Sequence, residues 1–111
     1  LSITKLALFI DYGVSKDSVM AVDQLIEYTS NSYEFLTRVN ALNMLKSKTL
    51  YDEILINNLL YALYNPNKRL RTPAKKYLQL LYKNEEVKNW IDKEFEKDLA
   101  NWQIKILNTL K

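Results

Sequence analysis

Residues 54–64 read Ile-Leu-Ile-Asn-Asn-Leu-Leu-Tyr-Ala-Leu-Tyr, and the chain then runs through Asn65-Pro66-Asn67 to Arg71-Thr72-Pro73-Ala74. Leu50, Ile54, Leu55, Ile56, Leu59, Leu60 and Leu63 surround most of a helical cylinder, and a helix that is apolar nearly all round belongs inside a helical core. Thr49 is expected to open this helix, with Asp52 and Glu53 in its first turn, where the helix dipole favours acids. Pro66 ends it, because the residue before a proline is driven out of the helical region. Thr72-Pro73 reads as an N-cap followed by proline at the first helical position. The next helix is therefore expected from Pro73 to about Lys83, through Ala74, Tyr77, Leu78 and Leu81.

Towards the N-terminus, Phe35, Leu36, Val39, Leu42 and Leu45 form a helical stripe that closes near Lys46 and Lys48, cations suited to a helix C-terminus. Thr29-Ser30-Asn31-Ser32 is the connection before it. Val19, Val22, Leu25 and Ile26 mark the preceding helix, which Ser15 or Asp17 can cap. A first helix is expected over about 3–12, stopping at Gly13. Towards the C-terminus, Val87, Ile91, Phe95, Leu99, Trp102, Ile106 and Leu110 recur every three or four residues, which predicts one long amphipathic helix with a break near Asn101.

Composition agrees with an all-α chain. One glycine and two prolines in 111 residues leave too few turn residues for a strand-rich fold, and valine occurs at only five positions. At 48% hydrophobic and 26% charged, the chain is of globular type, and its length suits one domain. No run approaches the roughly 20 apolar residues of a membrane span, and Leu1-Ser2-Ile3-Thr4-Lys5 lacks the layout of a signal peptide. A soluble domain is expected, with no membrane partner. The absence of cysteine is compatible with a reducing compartment without defining one. Because residue 1 is Leu, the chain is expected to be the C-terminal part of a longer protein.

Two segments share a pattern about 33 residues apart. Arg38-Val39-Asn40-Ala41 with Leu45 corresponds to Arg71-Thr72-Pro73-Ala74 with Leu78, and each follows an apolar helix and a polar turn containing Asn. An apolar helix, such a turn, and then Leu-Arg-x-x-Ala-x-x-x-Leu resembles the HEAT repeat. The copy at 54–81 carries the fuller pattern. The copy at 19–45 lacks the turn proline and has Thr37 where the other has Leu70. The resemblance covers about half the chain. It implies an α–α superhelix of stacked antiparallel hairpins across a single domain, 1–111, with a plain antiparallel helix bundle as the alternative. One hairpin cannot bury its own apolar face, so neighbours stack into a continuous core. In such hairpins the small residue, here Ala41 or Ala74, allows close helix approach, and the arginine contacts the neighbouring repeat or the inter-helix turn.

Without His or Cys, Ser–His–Asp and Cys–His sites and ordinary zinc sites are excluded. Gly13 alone cannot form a phosphate-cradling loop. Asp52-Glu53 and Glu85-Glu86 are i, i+1 pairs that do not face each other on a helix, and Asp92 and Glu96 are interleaved with Lys88, Lys93 and Lys97 in a solvated charge pattern. No enzyme activity and no cofactor are expected.

The net charge of +3 is unevenly placed. Lys68, Arg69, Arg71, Lys75 and Lys76 fall within nine residues, and no acid occurs between Glu53 and Glu85. These five are the candidate partner-binding residues, for an acidic protein surface or nucleic acid. Because +3 is modest, nucleic-acid binding is the less favoured reading, and a solvated face is expected. Most of the eight tyrosines lie on or beside apolar stripes and are expected to pack in the core. Trp102, on what reads as an outer helix, is the exception.

These features point to a non-catalytic scaffold holding another protein or another domain of the same polypeptide. The alternatives are an accessory C-terminal domain of a larger enzyme, as HEAT-like tails are in some metallo-aminopeptidases and sulfatases, and a nucleic-acid binder acting through 68–76. Leu1, Ile3, Leu6 and Leu8 crowd the N-terminal edge, which is therefore expected to dock onto a preceding domain. The charged face from Lys88 to Asp98 is expected to meet solvent as a polar cap.

Overall fold

The computed structural model describes residues 19–111. Its regular structure consists of six helices: α1 (Val19–Glu27), α2 (Phe35–Lys48), α3 (Glu53–Leu63), α4 (Lys68–Leu81), α5 (Glu85–Glu94) and α6 (Asn101–Asn108). No strand occurs among the described residues. The helix expected over 3–12, its stop at Gly13, the caps at Ser15 and Asp17, and the apolar edge from Leu1 to Leu8 lie outside them.

Three expected boundaries are corrected by local chemistry. Thr49 does not open α3; it closes α2 in the left-handed region, with φ 54°. The Thr49 N–H donates to Lys46 O and the Leu50 N–H reaches back to Leu45 O, the paired bonds that satisfy the last carbonyls of a helix. The N-cap of α3 is Asp52, whose carboxylate accepts from the Leu55 N–H at 2.7 Å. Thr72 does not start α4 either. Asn67 caps it, accepting from the Arg69 N–H at 3.0 Å, so the helix begins at Lys68 and Pro73 lies inside it. The earlier start brings Leu70 into the core at 1% exposure, and that burial outweighs the bond Pro73 cannot donate.

The third correction concerns the C-terminal stripe. It forms two helices separated by residues 95–100. Successive four-residue steps drift by about 40° each around a helix of 3.6 residues per turn, so one straight helix would carry the stripe off the core. The interruption resets the register, with Phe95 and Leu99 half-buried against the core between the two helices.

α3 is the most enclosed helix, as expected: Leu55, Ile56, Leu59, Leu60, Ala62 and Leu63 are buried out of eleven residues. Its apolar surface is not buried all round, however, because Ile54 and Tyr61 remain 63% and 66% exposed. The helices pack in two layers. α1 lies against α3 and α3 against α5, while α2 lies against α4, and each of the pairs α1–α2 and α3–α4 is itself in contact.

Seven side-chain hydrogen bonds join residues 27 to 33 apart in sequence, and several fix the direction of packing. The Tyr77 hydroxyl donates to Leu45 O at 3.3 Å and also to Leu50 O, while the Arg69 guanidinium lies 5.1 Å from the centre of the Phe35 ring. The N-terminal end of α4 thus meets that of α2, and the two helices run parallel. In the other layer, Asn84 Nδ2 donates to the Tyr51 hydroxyl at 2.7 Å and the Tyr64 hydroxyl to Glu94 Oε1 at 3.4 Å, so α3 and α5 run parallel too.

Ala41, Ala74, Leu45 and Leu78 are all buried. Arg38, 7% exposed, donates from Nε to Thr29 O in the turn before α2. Burial draws its pKa below the usual arginine value. Thr29 in turn donates to Ile26 O, and Asn58 of α3 donates to both Ile26 O and Thr29 Oγ1.

Candidate interaction surfaces

The basic stretch occupies the outer side of α4. Lys68, Arg71 and Lys75 share one strip at i, i+3 and i+7, and Arg69 and Lys76 share a second at i, i+7. Together they span an arc of roughly 160° at 100° per residue, a broad curved surface with no single ridge. Lys68, Arg69 and Lys76 are exposed, whereas Arg71 and Lys75 are half-buried. Arg69 is held over the Phe35 ring, a contact the sequence did not disclose. Among the described residues no carboxylate forms an ion pair with any of the five.

A second surface lies where α3, α5 and α6 converge. Tyr61, Tyr64, Glu94, Lys97 and Gln103 line a cleft of about 390 Å³. Trp102, 53% exposed, stands edge-on to Tyr64 with ring centres 5.9 Å apart and planes at 85°. Glu94 is buried at 7% exposure, accepts from the Tyr64 hydroxyl, and pairs with the Lys97 ammonium at 2.9 Å. Burial first, and then the neighbouring carboxylate, push the Tyr64 phenol far above its ordinary range. The hydrogen bond that Lys97 donates to Glu94 raises its pKa despite some desolvation. The Glu94 carboxylate is paired with the Lys97 ammonium, so the cleft offers aromatic faces beside an ion pair for contact.

Glu94 corrects the expectation that the charged residues from Lys88 to Asp98 all face solvent. The phase of α5 turns Glu94 inward with Val87 and Ile91, and the Tyr64 hydroxyl makes that burial tolerable. The C-terminal layer is also less polar than its charge pattern implies, since α6 exposes Trp102 and Ile104. Trp102 could be singled out from its outer position in sequence. Tyr61 could not, because it sits in the most apolar stretch of the chain.

The adjacent acids Asp52-Glu53 and Glu85-Glu86 serve helix starts, Asp52 as a cap and the others in first turns. No group of three or more potential metal ligands occurs among the described residues, and none of their helices is long and apolar enough to cross a membrane. Comparison of the chain with protein-family models, with curated proteins and with solved structures gave no match.

Proposed function

We propose that this chain is a non-catalytic helical scaffold, a stack of antiparallel hairpins of HEAT-like kind that holds another protein or another domain of its own polypeptide. The observation that carries the reading is the set of hydrogen bonds spanning 27 to 33 residues between α2 and α4 and between α3 and α5, pairs that run in the same direction. A near-constant offset is what stacking of successive hairpins produces, because each residue meets its counterpart one unit along the chain. In a closed four-helix bundle α1 would pack broadly on α4; here the principal neighbours of α1 are α2 and α3. The equivalent burial of Ala41 with Ala74 and of Leu45 with Leu78 supports the same reading.

Stacked helical hairpins work through extended outer surfaces. This chain offers two, the arc on α4 and the cleft between α3, α5 and α6. The aromatic side chains at the cleft are of the type that anchors protein contacts. Photo-reactive residues introduced singly at Trp102, Lys76 and Asn89 of the full-length protein, followed by irradiation in its native cells, test the function. A scaffold gives protein adducts from position 102 or 76 and few from 89. Adducts to nucleic acid, or none from any position, contradict it.

A further inference from the structure

The charges of the described helices are sorted by layer. α2 and α4 carry eight basic side chains and no Asp or Glu; α1, α3 and α5 carry seven acidic side chains and two basic. Along the chain this sorting appears only as alternation, one helix acidic and the next without acids. Packing α1, α3 and α5 together and α2 beside α4 gathers the exposed cations of α4 on one side and the exposed acids of α1, α3 and α5 on the other, with Arg38 and Glu94 buried and Glu34, at the start of α2, the exception. Solubility does not call for such an arrangement, since surfaces that only meet water mix their signs.

The outward side of the basic layer is not uniformly charged. On α2, Leu36, Asn40, Asn43 and Ser47 recur at i, i+4, i+7 and i+11, and all are exposed. Beside them on α4 stand the exposed Arg69, Lys76 and Leu80. Leu36 and Leu80 are 47% and 46% exposed. Because α2 and α4 run parallel with Phe35 beside Arg69, Leu80 lies about three helical turns, roughly 16 Å, along the axis from Leu36. Two apolar anchors therefore mark opposite ends of a face whose centre is neutral and polar and whose flank carries Lys68, Arg69 and Lys76.

We propose that this α2–α4 face docks an acidic amphipathic helix of a partner protein, one that presents apolar side chains about three turns apart among carboxylates. The proposal rests on the scaffold reading and names the partner's chemistry. Nucleic acid fits the face less well. A phosphate backbone needs cations along the whole track, and a single strand needs aromatic rings to stack on. Here the central positions are Asn40 and Asn43, and the exposed aromatics Tyr61 and Trp102 belong to other helices. Leucines offer a phosphate backbone nothing, whereas they match the stripe of an amphipathic helix. Lys68, Arg69 and Lys76, none of which is in an ion pair with a described residue, attract such a helix at long range, and Arg69, already held over Phe35, loses little freedom on binding.

The test is a fluorescence-anisotropy titration of the full chain, at about 0.15 M salt, with four labelled probes. The first is a synthetic 20-residue helical peptide with leucines at i and i+11 among glutamates. The others are a 20-nucleotide single strand, a 20-base-pair duplex, and vesicles containing phosphatidylserine. The peptide is expected to bind most tightly and to lose affinity about tenfold or more in K68E/K76E. The milder K68Q/K76Q guards against loss of folding and should lose several-fold, as should L36S/L80S, while Y61A/W102A should be unchanged. Peptide binding that survives K68E/K76E but is lost in Y61A/W102A overturns this proposal and leaves the scaffold reading standing. Tighter binding of an oligonucleotide or of the vesicles overturns the acidic-protein partner, and failure of every probe overturns the docking face.

Discussion

The hairpins α1–α2 and α3–α4 bury Ala41 and Leu45 as they bury Ala74 and Leu78, but hold their turns differently. In α3–α4 the turn is made by local chemistry. Pro66 stops one helix, the Asn65 side chain accepts from the Asn67 N–H, and Asn67 caps the next helix. In α1–α2 the turn has no proline, and to its local bonds between Ser30 and Ser32 or Tyr33 it adds contacts from outside the turn. Arg38 donates to Thr29 O across the turn, and Asn58 of the next hairpin donates to Thr29 Oγ1. The same arginine position is therefore structural in one hairpin and half-exposed in the other, where Arg71 has a turn already fixed. Equal burial at the paired Ala and Leu positions does not require that the turns be secured by the same chemistry.

The crossings give the largest expected effects. Ala41 and Ala74 are both buried, at 2% and 0% exposure, so A41F and A74F should each overpack a helix contact and destabilise by about 1–3 kcal/mol in urea denaturation. A neutral result for either would show that the two hairpins are not equivalent there. The turns come next. R38A strands the polar groups of the first turn and should cost about 1–2 kcal/mol, whereas R71A should stay within about 0.5 kcal/mol. Equal losses would erase the difference between the hairpins.

Thr49, between the hairpins, holds a β-branched residue at φ 54°. T49G relieves that conformation and should stabilise by about 0.5–1 kcal/mol after the greater freedom of glycine in the unfolded chain is set against it. A further effect is confined to alkaline pH. Burial raises Tyr77 above its ordinary value of 10.0. The folded chain thus holds the phenolic proton more tightly than the unfolded one. The associated stability is fully present below pH 10 and is lost as pH rises beyond it, at about 1.4 kcal/mol per pH unit for this group. Y77F should flatten the fall in denaturation midpoint between about pH 10 and 11. Tyr64, also raised, leaves a residual slope.

Much of the fold was legible because it rests on periodicity. The apolar spacing of Phe35 to Leu45 and of Leu55 to Leu63 located α2 and α3, and the Arg-x-x-Ala spacing paired positions that are buried alike, Ala41 with Ala74 and Leu45 with Leu78. Boundaries were less legible where two caps compete within a few residues. Thr49 against Asp52, and Asn67 against Thr72, are decided by which start buries the next apolar residue, a tertiary matter. Glu94 and Tyr61 were misplaced for one reason: charge or apolarity of a neighbourhood does not fix the phase of a single side chain on its helix. The basic stretch was visible as a run of residues, but its opposition to an acidic layer was not, because that needs to be known which helices share a side.

Native-state amide hydrogen exchange tests the stacked arrangement most directly. In a stack each hairpin is stabilised by its neighbours, so α3 and α4, flanked on both sides, should open last. α1 with α2, and α5 with α6, should exchange through smaller openings of lower free energy, and A74F should lower the protection of both flanking units. Exchange of all six helices in one cooperative opening, with A74F lowering every amide equally, would contradict stacking and indicate a plain bundle.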